Sequence, residues 1–157
     1  MDYVIRPIRE EEYPVLGEFL YQAIFVPAGM EKPDREILKQ PELQVYVDHF
    51  GEGGNDLCLV AEKDKNVIGA VWTRIMNDYG HISDGVPSLA ISILPQYRNQ
   101  GIGTALMEEM MKLLIKKGYS QVSLSVQKQN KAVGLYRKVG FHVYRESDDE
   151  YIMVKDL

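Results

Sequence analysis

The sequence has little of several things, and each shortage excludes something. There is one cysteine, Cys58, so no internal disulfide and no cysteine-rich metal site can form. Cys58 lies in an apolar run, Leu57-Cys58-Leu59-Val60, where a small core residue is the expected role and a catalytic thiol the exception. Three histidines, His49, His81 and His142, are scattered without metal-ligand spacing, so no metal is expected. Basic charge is short as well: 18 Lys and Arg stand against 23 Asp and Glu, a net charge of −5. A nucleic-acid binder normally leaves a strongly basic footprint, and this chain has none. No apolar run approaches the roughly 20 residues of a membrane span. The start, Met1-Asp2-Tyr3-Val4-Ile5-Arg6, lacks the basic and apolar regions of a signal peptide. A cytoplasmic protein without membrane or nucleic-acid partners is therefore expected, as a monomer or homodimer.

What is present reads as one domain over residues 1–157, without repeats, low-complexity tracts or a dividing linker. Residues 3–9 alternate as a strand. Glu10, Glu11 and Glu12 open a helix carrying Leu16, Phe19, Leu20 and Ile24 at helical spacing. A second helical stretch runs from Pro33 or Asp34 to Phe50, interrupted at Pro41 and stopped by Gly51, Gly53 and Gly54. Strands at 57–63 and 67–76 flank a short hairpin loop, and Ser88–Leu94 is a further strand ended by Pro95. A helix from Gly101 carries Ile102, Ala105, Leu106, Met110, Leu113 and Leu114 on one side and ends at Gly118. Residues 119–126 form a strand, 131–139 a short helix stopped by Gly140, and 141–145 and 151–155 the closing strands. Paired strands followed by alternating helices imply an α/β fold with a mixed sheet and helices on its faces.

The informative stretch is Arg98-Asn99-Gln100-Gly101-Ile102-Gly103-Thr104, between a strand and a helix. Two glycines at a helix start strip away Cβ atoms and expose backbone N–H groups. With the positive end of the helix dipole these suit a pyrophosphate, and Arg98 adds a planar charge. Close helix–sheet packing would produce the same glycines. The stretch is not a P-loop, because no Gly-Lys-Ser/Thr follows, and it lacks the third glycine of a dinucleotide fingerprint. A second block, Asn130-Lys131-Ala132-Val133-Gly134-Leu135-Tyr136-Arg137-Lys138-Val139-Gly140-Phe141, discriminates better.

Together the two blocks resemble the GNAT superfamily of N-acetyltransferases. There Arg/Gln-x-x-Gly-x-Gly/Ala grips the pyrophosphate of acetyl-CoA and Leu-Tyr-x-x-x-Gly-Phe forms a later helix. The resemblance in element order covers nearly the whole chain, and it implies the α/β (α+β) GNAT fold, a central mixed, mostly antiparallel twisted sheet of about six to seven strands with helices on both faces. It implies an acetyl-CoA-dependent enzyme that transfers an acetyl group to a primary amine by direct attack in a ternary complex. It implies that the strand before the loop splays from its neighbour and offers backbone groups around Ile91, Ser92 and Ile93 to pantetheine. Asn99, Gln100, Gly101, Ile102, Gly103 and Thr104 would hold the pyrophosphate. Tyr136 matches the tyrosine that protonates the departing thiolate; a core tyrosine with a satisfied hydroxyl is the alternative. Asn130 resembles the family's CoA-contacting asparagine. It stands six residues ahead of the tyrosine, where seven is commoner and Gln129 stands here.

No Asp or Glu occurs in strands 88–94 or 119–126, so neither supplies a carboxylate base. Glu31, Asp34, Glu36, His81, or waters held by Ser92 and Ser125 are left, and none is singled out. Phe25, Val26, Met30 and Trp72 would give an acceptor pocket apolar walls, with plain core the better reading of Trp72. Residues 1–94 hold 8 basic and 16 acidic residues, a net −8, whereas residues 95–157 hold 10 and 7, a net +3. A cationic acceptor such as a polyamine, an amino sugar, a protein N-terminus or a lysine is consistent with that division, as is a solvated acidic surface. The rivals are a catalytically silent CoA-binding regulatory module and a transferase of longer acyl groups.

Overall fold

The computed structural model describes residues 2–157. Its sheet has seven strands: β1 (Val4–Pro7), β2 (Leu57–Lys63), β3 (Asn66–Arg74), β4 (Ser88–Ile93), β5 (Gln121–Gln127), β6 (His142–Glu146) and β7 (Glu150–Asp156). The spatial order is β1-β2-β3-β4-β5-β7-β6, and only the β4–β5 contact is parallel. Four α-helices accompany it among the described residues: α1 (Val15–Ala23), α2 (Pro41–Gln44), α3 (Ile102–Lys116) and α4 (Ala132–Lys138). The expected mixed, mostly antiparallel sheet with helices on both faces is what the chain forms.

Two apolar layers flank the sheet. On one face α3 buries Ile102, Leu106, Met107, Met110, Met111 and Leu114 against Leu59, Val71, Leu124 and Met153. These positions recur at the three- and four-residue steps of a helical stripe, and full burial of each side chain stabilises by roughly 1.5–3 kcal/mol. On the other face Leu16, Phe19 and Leu20 of α1 pack with Tyr46, Phe50, Val60 and Trp72. Cys58 belongs to this second layer and is buried, and burial pushes its thiol pKa well up, as suits a core residue.

The local signals explain the ends of the elements. At Gly118 (φ +91°) the N–H of Tyr119 reaches the carbonyl of Leu114 and that of Gly118 the carbonyl of Ile115, a Schellman stop for α3. Asp64 and Lys65 both take positive φ in the two-residue turn between β2 and β3. Two expectations changed. Glu10–Glu12 is a separate 3-10 turn, and α1 starts only after Pro14. The long second helix is instead a 3-10 turn at Arg35–Lys39, the four-residue α2 and a run of turns to Phe50. Pro41 has no N–H to give and therefore starts a new helix rather than continuing one.

Candidate active site

The site begins as a fault in the sheet. β4 matches β3 over six residue pairs and β5 matches β7 over seven, yet β4 and β5 meet at the single pair Ser88 and Ser123. Each strand follows its outer neighbour, and the two diverge. The loop between β3 and β4 holds the narrow end. Ser123 Oγ donates to the carbonyl of Gly80 at 2.7 Å, and a Cβ on Gly80 would lie 3.0 Å from backbone atoms of Leu124 and Ser125.

Strand alternation decides which backbone groups look into this cleft. The N–H of Leu94 donates to Ile68 of β3, so Leu94, Ser92 and Ala90 direct their peptide groups toward β3. Leu89, Ile91 and Ile93 direct theirs toward β5. Of the three residues read as pantetheine contacts, Ile91 and Ile93 thus present backbone groups to the cleft and Ser92 does not. The Ser92 hydroxyl faces α1 and donates to the carbonyl of Phe19 at 2.6 Å.

Beyond the open end of β4 lies the start of α3. Asn99 (φ +62°) and Gly101 (φ +86°) both adopt the left-handed region, which turns successive N–H groups to one side. The first helical bond of α3 is from Ala105 to Gly101. Among the described residues, the six N–H groups of Asn99, Gln100, Gly101, Ile102, Gly103 and Thr104 have no acceptor in the chain. Ile102 contributes only its backbone, for its side chain is in the core, and Gln100 Nε2 donates to the carbonyl of Gln96. Such a row of donors at a helix start fits a pyrophosphate. Arg98 sits differently from the sequence expectation. Its Nε donates to the carbonyl of Ile93 at 2.9 Å and its Nη2 to that of Gln22 at 3.1 Å. The guanidinium ties the loop to the end of α1.

The motif around Tyr136 is a helix stop with a purpose. Gly140 (φ +107°) donates to the carbonyl of Arg137, and the N–H of Phe141 to the carbonyl of Tyr136 at 2.9 Å. This is again the Schellman arrangement, and it brings the Tyr136 and Phe141 rings within 6.1 Å. Tyr-x-x-x-Gly-Phe therefore fixes one tyrosine ring by backbone geometry. Tyr136 is 8% exposed, yet its hydroxyl has no hydrogen-bond partner among the described residues and is not sealed from the cavity. Burial raises its pKa to about 12. Asn130 caps α4, its Oδ1 accepting from the N–H of Ala132 at 2.9 Å.

Tyr136, Asn130 and Ile91 line one cavity of about 260 Å³, which passes through the splayed sheet. From the α1 and α2 face it is walled by Leu20, Phe25, Leu43, Tyr46, Tyr79 and Ser125. Phe25 stands where an acceptor wall was expected. Trp72 is in the core, and Met30 is exposed on the surface. Of the base candidates only Ser125 reaches the cavity. Asp34 caps the 3-10 turn through the N–H of Glu36, Glu36 pairs with Lys39, and His81 Nδ1 bonds the carbonyl of Met76. Tyr46, Tyr79 and the neighbouring Asp78 were missed, because they lie in irregular segments without a motif. A wider depression of about 550 Å³ lies between α1 and the β2–β3 turn, lined by Glu18, Asn66 and Gln96, and holds none of the motif residues.

A splayed sheet, a donor row at a helix start and a buried tyrosine are thus brought to one cleft. Residues 19–141 match the model of the acetyltransferase (GNAT) family. The chain is 36% identical over 129 residues to an N-alpha-acetyltransferase of Sulfurisphaera tokodaii, covering 71% of this chain and 75% of that one. It is 33% identical over 138 residues to a thialysine N-epsilon-acetyltransferase of Mus musculus, covering 77% and 75%. In structure it resembles the PaiA N-acetyltransferase of Thermoplasma acidophilum, solved with coenzyme A, with a TM-score of 0.76 at 24% identity over the full length of both chains. The chain belongs to the GNAT family and is an N-acetyltransferase.

Proposed function

We propose that the chain moves the acetyl group of acetyl-CoA to a primary amine by direct attack in a ternary complex. The six partnerless N–H groups of 99–104, at the mouth of a cleft leading to the free Tyr136 hydroxyl, carry this reading. They would hold the pyrophosphate, while the peptide groups of Ile91 and the N–H of Ile93, whose carbonyl already accepts from Arg98, would pair with the pantetheine arm. Asn130 would add its amide N–H₂, since its oxygen is taken by the cap. Arg98 shapes the loop rather than gripping phosphate with its whole fork.

The chemistry follows from the cavity. The nitrogen lone pair of the free amine attacks the thioester carbonyl carbon, the C–S bond breaks, and the nitrogen loses one proton to water. Tyr136 donates a hydrogen bond to the departing sulfur as charge develops, and the thiolate takes up a proton from water, which has received one from the amine, and leaves as the thiol.

The acceptor is cationic in its resting form. Tyr79 stands half-exposed at the cavity mouth, where burial and then the charges of Glu42 and Glu150 raise its pKa. The charges of Glu42 and Glu150, the smaller part of that effect, also attract an ammonium group. That agrees with the net −8 of residues 1–94.

The experiment is thiol release from acetyl-CoA with a panel of polyamines, amino sugars, lysine and peptides with free N-termini, beside anionic and neutral amino acids. Cationic amines should turn over fastest. Preference for anionic or neutral amino acids would sink the charge argument. CoA binding without thiol release from any amine would leave a silent regulatory module.

A further inference from the structure

The acceptor side of the cavity has a carboxylate that no motif announces. Asp78 lies in the loop between β3 and β4, one residue before the cavity-lining Tyr79. Its Oδ1 accepts from Ser88 Oγ at 2.7 Å. Its Oδ2 is buried and has no partner among the described residues. A buried carboxylate oxygen left without a donor is destabilising, most of all when charged, so a donor is called for. The hydroxyls of Tyr46 and Ser125 are the groups at hand: Tyr46 lies beside both Asp78 and Ser125, and Tyr46 and Ser125 both line the cavity.

Tyr46 is held in place by β3. Trp72 Nε1 donates to the Tyr46 carbonyl at 2.9 Å, and Arg74 Nη1 to the Val45 carbonyl at 3.0 Å. Arg74 is itself gripped by Asp56 through two bonds of 3.1 Å. Burial, and then the charge of Asp78, pushes the Tyr46 pKa far above its ordinary value, so its hydroxyl keeps a proton to donate.

We infer that Tyr46 and Asp78 form a pair that orients the acceptor amine. The Tyr46 O–H donates to Asp78 Oδ2, which turns the phenol lone pairs into the cavity. Those lone pairs accept an N–H of the amine and aim its own lone pair across the cleft, toward the side on which Tyr136 stands. Tyr46 touches substrate, and Asp78 is a positioning residue acting through it. The pair takes up no proton: the amine enters as the free base and releases its proton to water. The inference rests on the acetyl-transfer reading above.

The test uses the panel amine with the fastest wild-type turnover. Tyr46→Phe should raise the KM for that amine and lower its kcat/KM roughly 10- to 100-fold, leaving the KM for acetyl-CoA unchanged. Asp78→Ala should match that loss. Asp78→Asn should recover part of it, because the amide oxygen can still accept from Tyr46. The double variant Tyr46→Phe/Asp78→Ala should be no worse than Tyr46→Phe alone. Additive losses, a raised acetyl-CoA KM, or no recovery in Asp78→Asn would overturn the pair. So would an unchanged amine kcat/KM in Tyr46→Phe while the wild type turns over. A wild-type chain that acetylates no amine overturns the parent reading, and the pair with it.

Discussion

Replacing Tyr136 by Phe tests both the site and the strength asked of its acid. The Tyr136 hydroxyl has no partner among the described residues, so removing it strands no buried group, and the ring and its Phe141 neighbour are retained. The melting temperature should therefore stay within about 2 °C of wild type. Acetyl-CoA affinity should hold as well, because the donor row at 99–104 is untouched. Turnover is where the loss falls. With a pKa near 12, Tyr136 is a weaker acid than a thiol, ordinarily about 8.5. Full proton transfer to a free thiolate would run uphill by about 3.5 units, or roughly 5 kcal/mol. The hydroxyl contributes chiefly by a hydrogen bond to sulfur as charge develops, an interaction worth about 1.5–3 kcal/mol with a charged partner. At 1.36 kcal/mol per decade this gives a kcat roughly 10- to 100-fold lower. Steady-state thiol release with saturating acetyl-CoA reads it. Unchanged kcat removes Tyr136 from the chemistry, and a loss beyond about 10⁴ would show that the weak-acid reasoning is wrong. The pH profile supplies a second check. A phenol of pKa near 12 stays protonated through the neutral range, so Tyr136 produces no alkaline fall in rate below about pH 11.

Three further outcomes follow from the same geometry. Gly101→Leu meets open space but must hold a side chain at φ +86°, which costs about 1–2 kcal/mol and some 2–8 °C of melting temperature. It also shields the donor row, so calorimetry should find no acetyl-CoA binding, and normal affinity would refute the phosphate assignment. Arg98→Ala loses one part-buried and one exposed hydrogen bond, to Ile93 and Gln22, and should lower stability by about 1–2 kcal/mol, or roughly 2–8 °C; an unchanged melting temperature would return Arg98 to a purely ligand-binding role. Glu12 forms a two-pronged bond with Arg6, whose hydrogen bond lowers the Glu12 pKa from 4.5 to about 2. A depressed carboxylate pKa stabilises the fold above the unfolded value, so this contribution is complete above about pH 5 and lost as pH falls toward 2. Screened by solvent it amounts to about 1–2 kcal/mol. Glu12→Gln should flatten that part of the acid-unfolding curve, and a curve identical to wild type would contradict it.

What the sequence made legible is what is local in the chain. The donor row is one run of consecutive residues, 99–104, whose geometry is set by its own glycines and by the helix it opens. Tyr136 and Phe141 are the two ends of one six-residue helix stop, fixed by Gly140. In both cases the residues that make the feature also determine its shape, so reading them in order suffices. Where propensity misled, the cause was proline: Pro14 and Pro41 restart helices that apolar spacing alone joins into longer ones. Side-chain assignments needed the sheet. Arg98 is held along the surface by two carbonyls, one of them 76 residues away, and Ser92 is carried to the other face of β4 by strand parity.

The acceptor side is illegible for a physical reason of the opposite kind. Tyr46, Asp78 and Ser125 come from a run of turns, an interstrand loop and a strand, and none is meaningful without the other two. β4 and β5 supply no carboxylate of their own, which the sequence does show. The loop closing the narrow end must cross beside β5, where Gly80 alone allows the approach, and this crossing carries Asp78 to the back of Tyr46. The element that pins the cleft shut at one end is thus the one that delivers charge to the acceptor. A donor site made of backbone can be shared by a whole family, whereas an acceptor site assembled from three distant segments can change by substitution in any one of them without disturbing the CoA cleft.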